Sequence, residues 1–566
     1  MKISKNCLAI KIFLLVFSAM TVLECFSQEL TKIQTKRVAE FGKAWGLMKY
    51  YHPILATGNL NWNDSLRDYI LKIKECSSDK EFNSLLFDLF RGIGQFPIGQ
   101  KFIKSEKYYS QTFETGWISE SRLLDSAIKR KLDDLLFFFH PRKNFLVIKE
   151  SAMYDVQVIH NNERDNLATL IIAWNIIKYE APHLKLAESN WDKLLDQYIP
   201  IVSVIKDPAK FEYAIAEMLS RIRDSHGFMT LPNYEASLGN AFLPFSMDLI
   251  ENKNVIKEID TTASKKYNIN IGDIVEKINN IDVNLLRDSF RNISRGGHLK
   301  VRDAEVDEFY LTRLNSNDSV RMTLRKPGNI LMTLYVQPVM KRTLFNPVTA
   351  KTKNKSRVIN DSISYISLRY SSAKDIRTAL KKFHHYKSII IDNRGYPSGK
   401  TYSALFNRLD GGNDRIINYY QQNNIKFTGT FPEKFLHSPY YHLRGYANLL
   451  KPFYKKYKGK IIVLFDETTL SHAEFRNQGF SFIKNNVVSI GRNTAGADGA
   501  IYFRYLPGKI RIAFTGDIVT YPDGTSTQKT GMKPDFYVDD NIESLHMGKD
   551  DILDKAIEIA TKSKQE

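Results

Sequence analysis

Apolar and polar positions recur with different periods in three successive parts of the chain, and each period predicts a different kind of unit. Between 28 and 233, apolar side chains such as Leu66 and Ile70 recur at helical spacing. From 234 to 340, short strand-like runs are separated by turns. From 341 to 566, buried strands alternate with helices. With 566 residues, the chain is predicted to be a multidomain α+β protein.

The first unit contains an internal repeat. The segment 45–50 (WGLMKY) returns as 174–179 (WNIIKY), an offset of 129 residues (174 − 45), and the same offset relates Trp62 to Trp191. We interpret this as a duplicated helical unit whose aromatic residues form a core and not a ligand cage. Between the copies, 144–160 alternates like strands.

The second unit opens with Leu243, Pro244 and Phe245 before a strand-rich stretch. A tight turn at 272–273 (GD) precedes a strand that ends at an Asn-Asn turn, 279–280. This order resembles the PDZ-domain signature. PDZ domains bind a peptide as an added strand, so the resemblance implies peptide binding near the opening residues. A small β unit without a ligand is the alternative.

The third unit is predicted to be an α/β arrangement, which places functional residues on loops after strand ends. The predicted strands and helices occupy 362–368 (strand), 373–386 (helix), 388–391 (strand), 460–465 (strand) and 472–484 (helix).

Three motifs far apart in the sequence carry the candidate chemistry. The segment 224–226 (DSH) supplies a base, 391–399 (IDNRGYPSG) a turn rich in backbone N–H groups, and 471–474 (SHAE) a nucleophile. A serine hydroxyl is a poor nucleophile unless a base takes its proton and donors hold the resulting oxyanion. The combination predicts a serine hydrolase.

The order of these motifs resembles that of the C-terminal processing peptidases (tail-specific serine proteases), and more closely the branch that contains the tricorn core. The segment 390–395 resembles the family's Asp-x-Arg-Gly loop, and 471–474 its Ser-x-Ala-Glu segment. The segments 491–496 and 531–535 resemble its Gly-x-x-Thr-x-Gly turn and Gly-Val-x-Pro-Asp ending. The resemblance implies a helical N-terminal unit, a PDZ domain and an α/β catalytic domain of crotonase-like fold.

The resemblance implies Ser471 as the nucleophile; a capping box with Glu474 is a second, compatible role for this serine. His226 is expected to be the general base, because a neutral imidazole accepts a proton near neutral pH. His472 is the rival base. Ala497 stands where the processing-peptidase branch has a lysine, so the base comes from elsewhere.

Ser225 is expected to orient His226 or to link it to Gln528; an ordinary turn serine is the alternative. Gln528 stands where the tricorn core has a glutamate. A glutamine can hydrogen-bond but cannot supply charge.

Gly399 and the N–H of His472 are the expected oxyanion hole. Asp392 and Arg394 are expected to hold their loop in shape, and Glu474 to cap its helix or order the site.

Metal and cofactor chemistry are not expected. The pairs His384 with His385 and His437 with His442 lack the spacing of a zinc site. The formal net charge of +19 is spread along the chain without a nucleic-acid motif, which indicates a solvated basic surface and no nucleic-acid partner.

The N-terminus is typical of a secretory signal, with Lys2 and Lys5 before an apolar stretch at 8–23. We expect removal of 1–27 and export to the periplasm or cell exterior, with envelope association open; a membrane anchor is the alternative, and no other segment is expected to span a membrane. Cys76 is then the single cysteine, which excludes an intramolecular disulfide.

The sequence thus predicts a secreted serine endopeptidase acting on peptides or unfolded protein tails. The alternative is a catalytically inactive, PDZ-containing peptide-binding scaffold of the same fold, which Gln528 and the missing lysine favour. Deleting 234–340 is expected to weaken substrate capture more than the chemistry. The oligomeric state is left open.

Overall fold

The computed structural model describes most of the chain outside its N-terminal 28 residues. The described ranges are 29–52, 54–55, 61–94, 114–138, 158–315, 317–340, 356–397, 401–409, 425–428, 431–434, 457–483, 486–520 and 524–562. The expected signal 1–27 and most of 144–160 lie outside them. No helix within these ranges is both long and apolar enough to cross a membrane.

The first unit is helical, and polar side chains begin several of its helices. Thr31, Ser78, Asn162 and Asp207 each accept a first-turn N–H, which satisfies donors that lack an intrahelical partner. The described helices are α1 (Lys32–Tyr51), α2 (Trp62–Glu75), α3 (Asp79–Ile93), α4 (Gly116–Glu120), α5 (Ser126–Phe138), α6 (Glu163–Glu180), α7 (Trp191–Val204) and α8 (Pro208–Ser220).

Helices α1 and α6 form the centre of this unit, since every residue of 41–51 and 165–180 is buried. The two helices meet at positions related by the offset of 129 residues. Three such pairs are in contact, namely Gly42 with Ile171, Gly46 with Asn175, and Tyr50 with Tyr179, whose rings lie 4.7 Å apart. Contacts in this order require the two helices to run parallel.

Two pairs of tryptophans in this unit make equivalent contacts. Trp45 and Trp62 each donate the indole N–H to the other's carbonyl oxygen, both at 3.3 Å. Trp174 and Trp191 do the same at 2.9 and 3.1 Å. The two pairs thus make equivalent contacts, and the rings of Trp45, Trp174 and Trp191 are buried in the core.

The second unit is built on an antiparallel sheet with strand order β3-β4-β5-β8-β9, to which β6 adds beside β5. Its elements and the two preceding ones are β1 (Met229–Thr230), α9 (Pro232–Leu238), β2 (Ala241–Phe242), β3 (Phe245–Ile250), β4 (Lys253–Ile259), α10 (Thr261–Tyr267), β5 (Ile274–Ile278), β6 (Ile281–Asp282), α11 (Val283–Arg291), α12 (Leu299–Phe309), β7 (Arg313–Leu314), β8 (Val320–Lys326) and β9 (Ile330–Val336).

The three residues expected to bind a peptide are used inside this unit. Leu243 and Phe245 are core residues, 0% and 1% exposed. The Leu243 N–H donates to Thr312 O at 2.8 Å, and Pro244 has no N–H to offer. Neither these two side chains nor the Leu243 amide is therefore presented to a peptide.

The third unit contains a six-stranded sheet of order β10-β11-β12-β15-β16-β20, parallel except for β10. Its described elements are β10 (Ser356–Asn360), β11 (Ile363–Ser367), α13 (Ala373–Phe383), β12 (Ser388–Asp392), α14 (Thr401–Leu409), β13 (Ile425–Thr428), β14 (Phe431–Lys434), β15 (Lys460–Phe465), α15 (His472–Asn477), β16 (Val487–Gly491), β17 (Ile501–Leu506), β18 (Ile510–Thr515), β19 (Asp517–Ile518), β20 (Phe536–Tyr537), α16 (Ile542–His546) and α17 (Asp551–Thr561). Since neighbouring parallel strands end at one edge, the loops after β12, β15 and β16 meet there.

The hairpin of β17 and β18 leaves this sheet and enters the helical unit. Its side chains Leu506, Ile510, Ile512 and Phe514 belong to the helical core. Strand β1 pairs with β18 in a separate three-stranded sheet of order β1-β18-β17. Because β1 follows closely on the 224–226 segment, this pairing brings that segment to the end of β18.

Candidate active site

Ser471 lies at the sharp turn between β15 and α15. Its backbone has φ 56° and ψ −121°, a conformation that residues with a side chain rarely adopt. Its N–H donates to Ala497 O at 3.0 Å, and its carbonyl accepts from Phe475 N at 2.8 Å. Among the described residues, its hydroxyl has no hydrogen-bond partner. A strained strand-to-helix turn that leaves a hydroxyl free is typical of a nucleophile.

The capping-box interpretation is wrong, because the Ser471 side chain caps no amide of its helix. Glu474 is fully buried and accepts instead from Thr494 Oγ1 at 2.5 Å, Gly496 N at 3.2 Å and Ala497 N at 3.0 Å. Burial raises the pKa of Glu474 to about 7, against the opposing effect of these hydrogen bonds. Glu474 thus holds the turn that follows β16.

That turn joins the two halves of the site. The carbonyl of Ala497 accepts the Ser471 N–H. Two residues earlier, the carbonyl of Ala495 accepts the Ser225 hydroxyl at 2.6 Å. Because Ser225 directly precedes His226, one short turn ties the segments of both expected catalytic residues together.

His226 is 3% exposed and lies between the helical and α/β units. Its ring Nδ1 lies 3.0 Å from Thr515 Oγ1. Its Nε2 is buried and has no hydrogen-bond partner within the described ranges. A buried ring nitrogen without a partner is unusual and calls for an explanation.

The Thr515 hydroxyl fixes the tautomer of His226. Thr515 Oγ1 lies 2.7 Å from Asp224 Oδ1 and donates its single hydrogen to that acceptor. It can then only accept from the imidazole, so Nδ1 carries the proton. The Nε2 lone pair is left free, as a general base requires.

Burial is also the main cause that lowers the pKa of His226. The Asp224 carboxylate opposes this effect, and His183 adds to it. His183 comes from the turn after α6, where its Nε2 lies 2.9 Å from Asp517 O. The imidazole of His226 is therefore neutral at pH 7.

The Ser225 hydroxyl bonds to neither His226 nor Gln528, contrary to the expectation from the sequence. It donates to Ala495 O and accepts from Gly297 N at 2.8 Å. These two hydrogen bonds direct the Ser225 hydroxyl towards the turn after β16 and away from the imidazole. Gln528 donates its Nε2 to Asp224 Oδ1 at 3.1 Å.

Of the two expected oxyanion donors, Gly399 lies outside the described residues. His472 is the first residue of α15, and its N–H has no acceptor in the part of the chain that the structure describes. Its ring lies edge-on to Tyr402, with centroids 5.5 Å apart. Burial and the charge of Arg476 lower its pKa.

Asp392 and Arg394 make contacts suited to holding a loop. Arg394 Nη1 and Nη2 donate to both carboxylate oxygens of Asp550, at 2.9 and 2.7 Å. Its Nε and Nη2 donate to Asp392, whose Oδ2 also accepts from Tyr365 OH at 2.7 Å. Asp550 caps α17, so this cluster ties the loop after β12 to the last helix.

Sequence reasoning missed four polar residues of the site. Thr515 lies 289 positions from His226 at the end of a strand, where a threonine is unremarkable. Asn393 accepts from Tyr402 OH at 2.5 Å and faces α15 through its amide. His183 and His298 come from the first and second units. His298 Nε2 lies 2.9 Å from Thr494 O, which links the second unit to the turn beside Ser471.

Within the described ranges, no group of three His, Cys, Asp or Glu side chains is arranged to hold a metal ion. His384 and His385 are neighbours on the surface, and His437 and His442 lie outside the described residues.

Residues 362–538 match the model of peptidase family S41. This match covers most of the third unit of the chain. It supports a serine-type peptidase and the resemblance to the C-terminal processing peptidases. The matched segment contains Ser471 and Gln528 but not His226, which precedes it. No curated protein matches this chain.

Among solved structures, a serine-to-alanine mutant of CPAF is similar to this chain, with 11% identity and a TM-score of 0.52 over 71% of this chain and 99% of that one. Mature CPAF complexed with lactacystin gives 11% identity and 0.50 over 70% and 97%. A putative peptidase from Parabacteroides merdae gives 15% and 0.37 over 71% and 97%. The CPAF matches show a shared fold that extends well beyond the S41 segment.

Proposed function

We propose that this protein is an endopeptidase that hydrolyses peptide bonds in peptides or unfolded protein tails, with Ser471 as nucleophile and His226 as general base. The observation that carries the proposal is the bare, buried Nε2 of His226, held beside the turn that also binds the Ser471 backbone. A lone pair kept free at that position suits proton removal from an alcohol.

In the proposed reaction, Ser471 Oγ attacks the carbonyl carbon of the scissile bond while Nε2 of His226 takes its proton. The oxyanion is stabilised by the His472 N–H and by the predicted donor Gly399. Collapse of the tetrahedral intermediate transfers the proton from Nε2 to the leaving amine. Water, deprotonated by the same nitrogen, then hydrolyses the acyl-enzyme.

The remaining parts of the proposal concern export and substrate capture. The protein is exported after cleavage of 1–27, and it needs no cofactor. The duplicated helical unit, 28–233, is a scaffold that supplies His226. The unit 234–340 is PDZ-like and captures substrate, although the core positions of Leu243 and Phe245 move the capture site away from the residues first expected.

The test compares wild type with Ser471→Ala on a permanently unfolded protein, measuring new N-termini over time. The rate is expected to fall by at least about 10³-fold, because the hydroxyl forms the covalent intermediate. Equal, slow degradation by both proteins would instead support the catalytically inactive peptide-binding scaffold.

His226→Ala and His472→Ala separate the two candidate bases. We expect a loss like that of Ser471→Ala for the first and a smaller loss for the second. The reverse order would make His472 the base.

A further inference from the structure

We propose that Asp224 and Thr515 together position His226, the Thr515 hydroxyl accepting from Nδ1–H and donating to the Asp224 carboxylate. This pair then supplies the anion that Gln528 lacks. The inference rests on the proposed function, because it assigns an orienting partner to the proposed general base.

The surroundings of Asp224 consist of hydrogen-bond donors. Its Oδ1 accepts from the His226 backbone N–H at 3.0 Å and from the Thr515 hydroxyl at 2.7 Å. Its Oδ2 accepts from Thr515 N at 2.5 Å. Every one of these groups donates, and so does the Gln528 amide. At 4% exposure, both oxygens of the Asp224 side chain are thus used as acceptors within the protein.

The Thr515 hydroxyl is fully used in this arrangement. It has one hydrogen and two lone pairs. The hydrogen goes to Asp224, and the lone pairs receive His226 Nδ1–H at 3.0 Å and Gln528 Nε2–H at 3.4 Å. The hydroxyl therefore bridges the Asp224 carboxylate and the imidazole by two hydrogen bonds, and Asp224 makes no hydrogen bond to the ring itself.

The backbone makes the pair rigid. Gly227 N donates to Asp224 O at 2.7 Å, which closes a tight turn around the base. Ala513 N donates to Phe228 O at 2.8 Å, and the pairing of β1 with β18 continues from there. Both members of the pair are thus fixed by the same small sheet.

Gln528 has a different role from the one that its position suggests. It makes no hydrogen bond to the Ser225 hydroxyl, and its amide donates to Asp224 and Thr515. A neutral donor at this point stabilises the charge on Asp224. A glutamate there would instead place a second carboxylate against the first.

The test measures the rate at which Ser471 is labelled by a fluorophosphonate reagent, in which the serine oxygen bonds to phosphorus and fluoride leaves. This readout needs no knowledge of the natural substrate. Thr515→Val removes the hydroxyl, Thr515→Ser keeps it, and Asp224→Asn removes the charge. Thr169→Val is the matched control, since Thr169 is equally buried, at 1%, in the helical unit.

At pH 7.5 we expect Thr515→Val and Asp224→Asn to label at least about tenfold more slowly than wild type, and Thr515→Ser within about threefold. Thr169→Val should label like wild type. The titratable groups that act on His226 are Asp224 and His183. Loss of the Asp224 charge should therefore also move the acid limb of the labelling rate to lower pH, which a merely structural defect would not do.

Labelling of Thr515→Val at the wild-type rate, while Ser471→Ala is not labelled, would overturn this inference and leave the proposed function intact. Labelling of Ser471→Ala as fast as wild type would overturn the proposed function itself.

A second measurement reads the tautomer in the wild-type protein and needs a variant only to assign the resonances. In wild type with ¹⁵N-labelled histidine, the resonances absent from His226→Gln identify this ring, and their shifts report its tautomer. We expect Nδ1–H with a bare Nε2 at pH 7.5. An Nε2–H tautomer in the wild-type protein would overturn the inference.

Discussion

Single buried side chains decide the geometry around Ser471, and Glu474 is the clearest case. Its carboxyl accepts three hydrogen bonds from the turn after β16. The carbonyl of Ala497 in the same turn accepts the Ser471 N–H. The strained backbone of Ser471 can persist only where its surroundings are fixed in this way. The backbone conformation of Ser471, the proposed nucleophile, therefore depends on the buried carboxyl of Glu474.

Glu474→Gln tests this dependence. The new amide places a donor against the N–H of either Gly496 or Ala497, so the turn loosens. We expect fluorophosphonate labelling of Ser471 to slow at least about tenfold. Glu212→Gln is the control, because Glu212 is equally buried but accepts from Tyr234 N, far from the turn. Equal labelling by both variants would contradict the assigned role.

Glu474→Gln should also change the pH dependence of stability. With a pKa near 7 in the folded state and 4.5 as the ordinary value, the folded protein binds more protons than the unfolded chain between these pH values. Wild type therefore loses unfolding free energy from this group as pH rises through that window. The variant should lack this loss, which the unfolding free energies of both proteins from urea titrations at pH 5.0 and 7.0 would reveal. The same change in unfolding free energy between the two pH values in both proteins would argue against a neutral carboxyl.

Protonation of His226 should determine where kcat/KM falls at low pH. Burial holds the pKa of this imidazole below its ordinary value of 6.5, so the neutral, active form persists below that pH. We expect the midpoint of the acid limb of kcat/KM on an unfolded substrate to lie below pH 6.5. A midpoint above pH 6.5 would contradict a buried neutral base.

At the scale of elements, the sequence predicts the strands of the α/β unit well and its contacts poorly. The apolar runs 388–391 and 460–465 correspond to β12 and β15, since strands buried on both faces have continuous apolar character. The predicted helix 472–484 is wrong in length, because α15 ends at Asn477 and a 3-10 turn follows.

In the candidate site too, residues within local motifs could be predicted from the sequence, and residues that reach the site by long-range contacts could not. Motif order predicts Ser471 and His226 as the catalytic pair, since each lies in a recognisable local pattern. Thr515 and His298 have no such pattern and reach the site only through β-sheet pairing and unit docking. Local propensity carries no information on such distant contacts, so residues of this kind cannot be found from a single sequence.

The segment before α12 changes one expectation about the second unit. Gly297 N donates to the Ser225 hydroxyl, and His298 contacts Thr494 O. Deleting 234–340 should therefore impair the chemistry as well as substrate capture.

His298 allows a milder test than the deletion. His298→Ala removes a donor to Thr494 O, and we expect labelling of Ser471 to slow several-fold because the turn beside it loses an anchor. His298→Gln retains an N–H donor of similar reach and should restore most of the rate. Failure of glutamine to exceed alanine would indicate that the imidazole acts in some other way.

At the scale of the whole molecule, the helical unit and the α/β unit share one core. The β17–β18 hairpin packs its apolar side chains among the helices, and Arg504 pairs with Glu180 at 2.5 Å where both are buried. His160 stacks on Phe211 with centroids 4.1 Å apart, and its Nε2 donates to Pro507 O at 3.0 Å at the tip of the hairpin. The catalytic sheet and the segment that carries His226 are thus held in register by the helical unit.

This junction should be sensitive to acid. Burial lowers the pKa of His160 below the ordinary 6.5, so the folded state binds fewer protons than the unfolded chain as pH falls through the range between the two values. The contribution of this group to stability is present above pH 6.5 and is lost as pH falls towards the pKa of the folded state.

His160→Gln keeps an N–H donor for Pro507 O but does not titrate. Comparing the two proteins cancels the effects of all other titrating groups, among them the buried carboxyls that act in the opposite sense. We expect thermal unfolding midpoints of wild type to fall more than those of His160→Gln between pH 7.5 and 5.0, and labelling of Ser471 at pH 5.0 to be lost at a lower temperature in wild type. Parallel falls in both proteins would show that the hairpin contact is not the acid-sensitive point of the shared core.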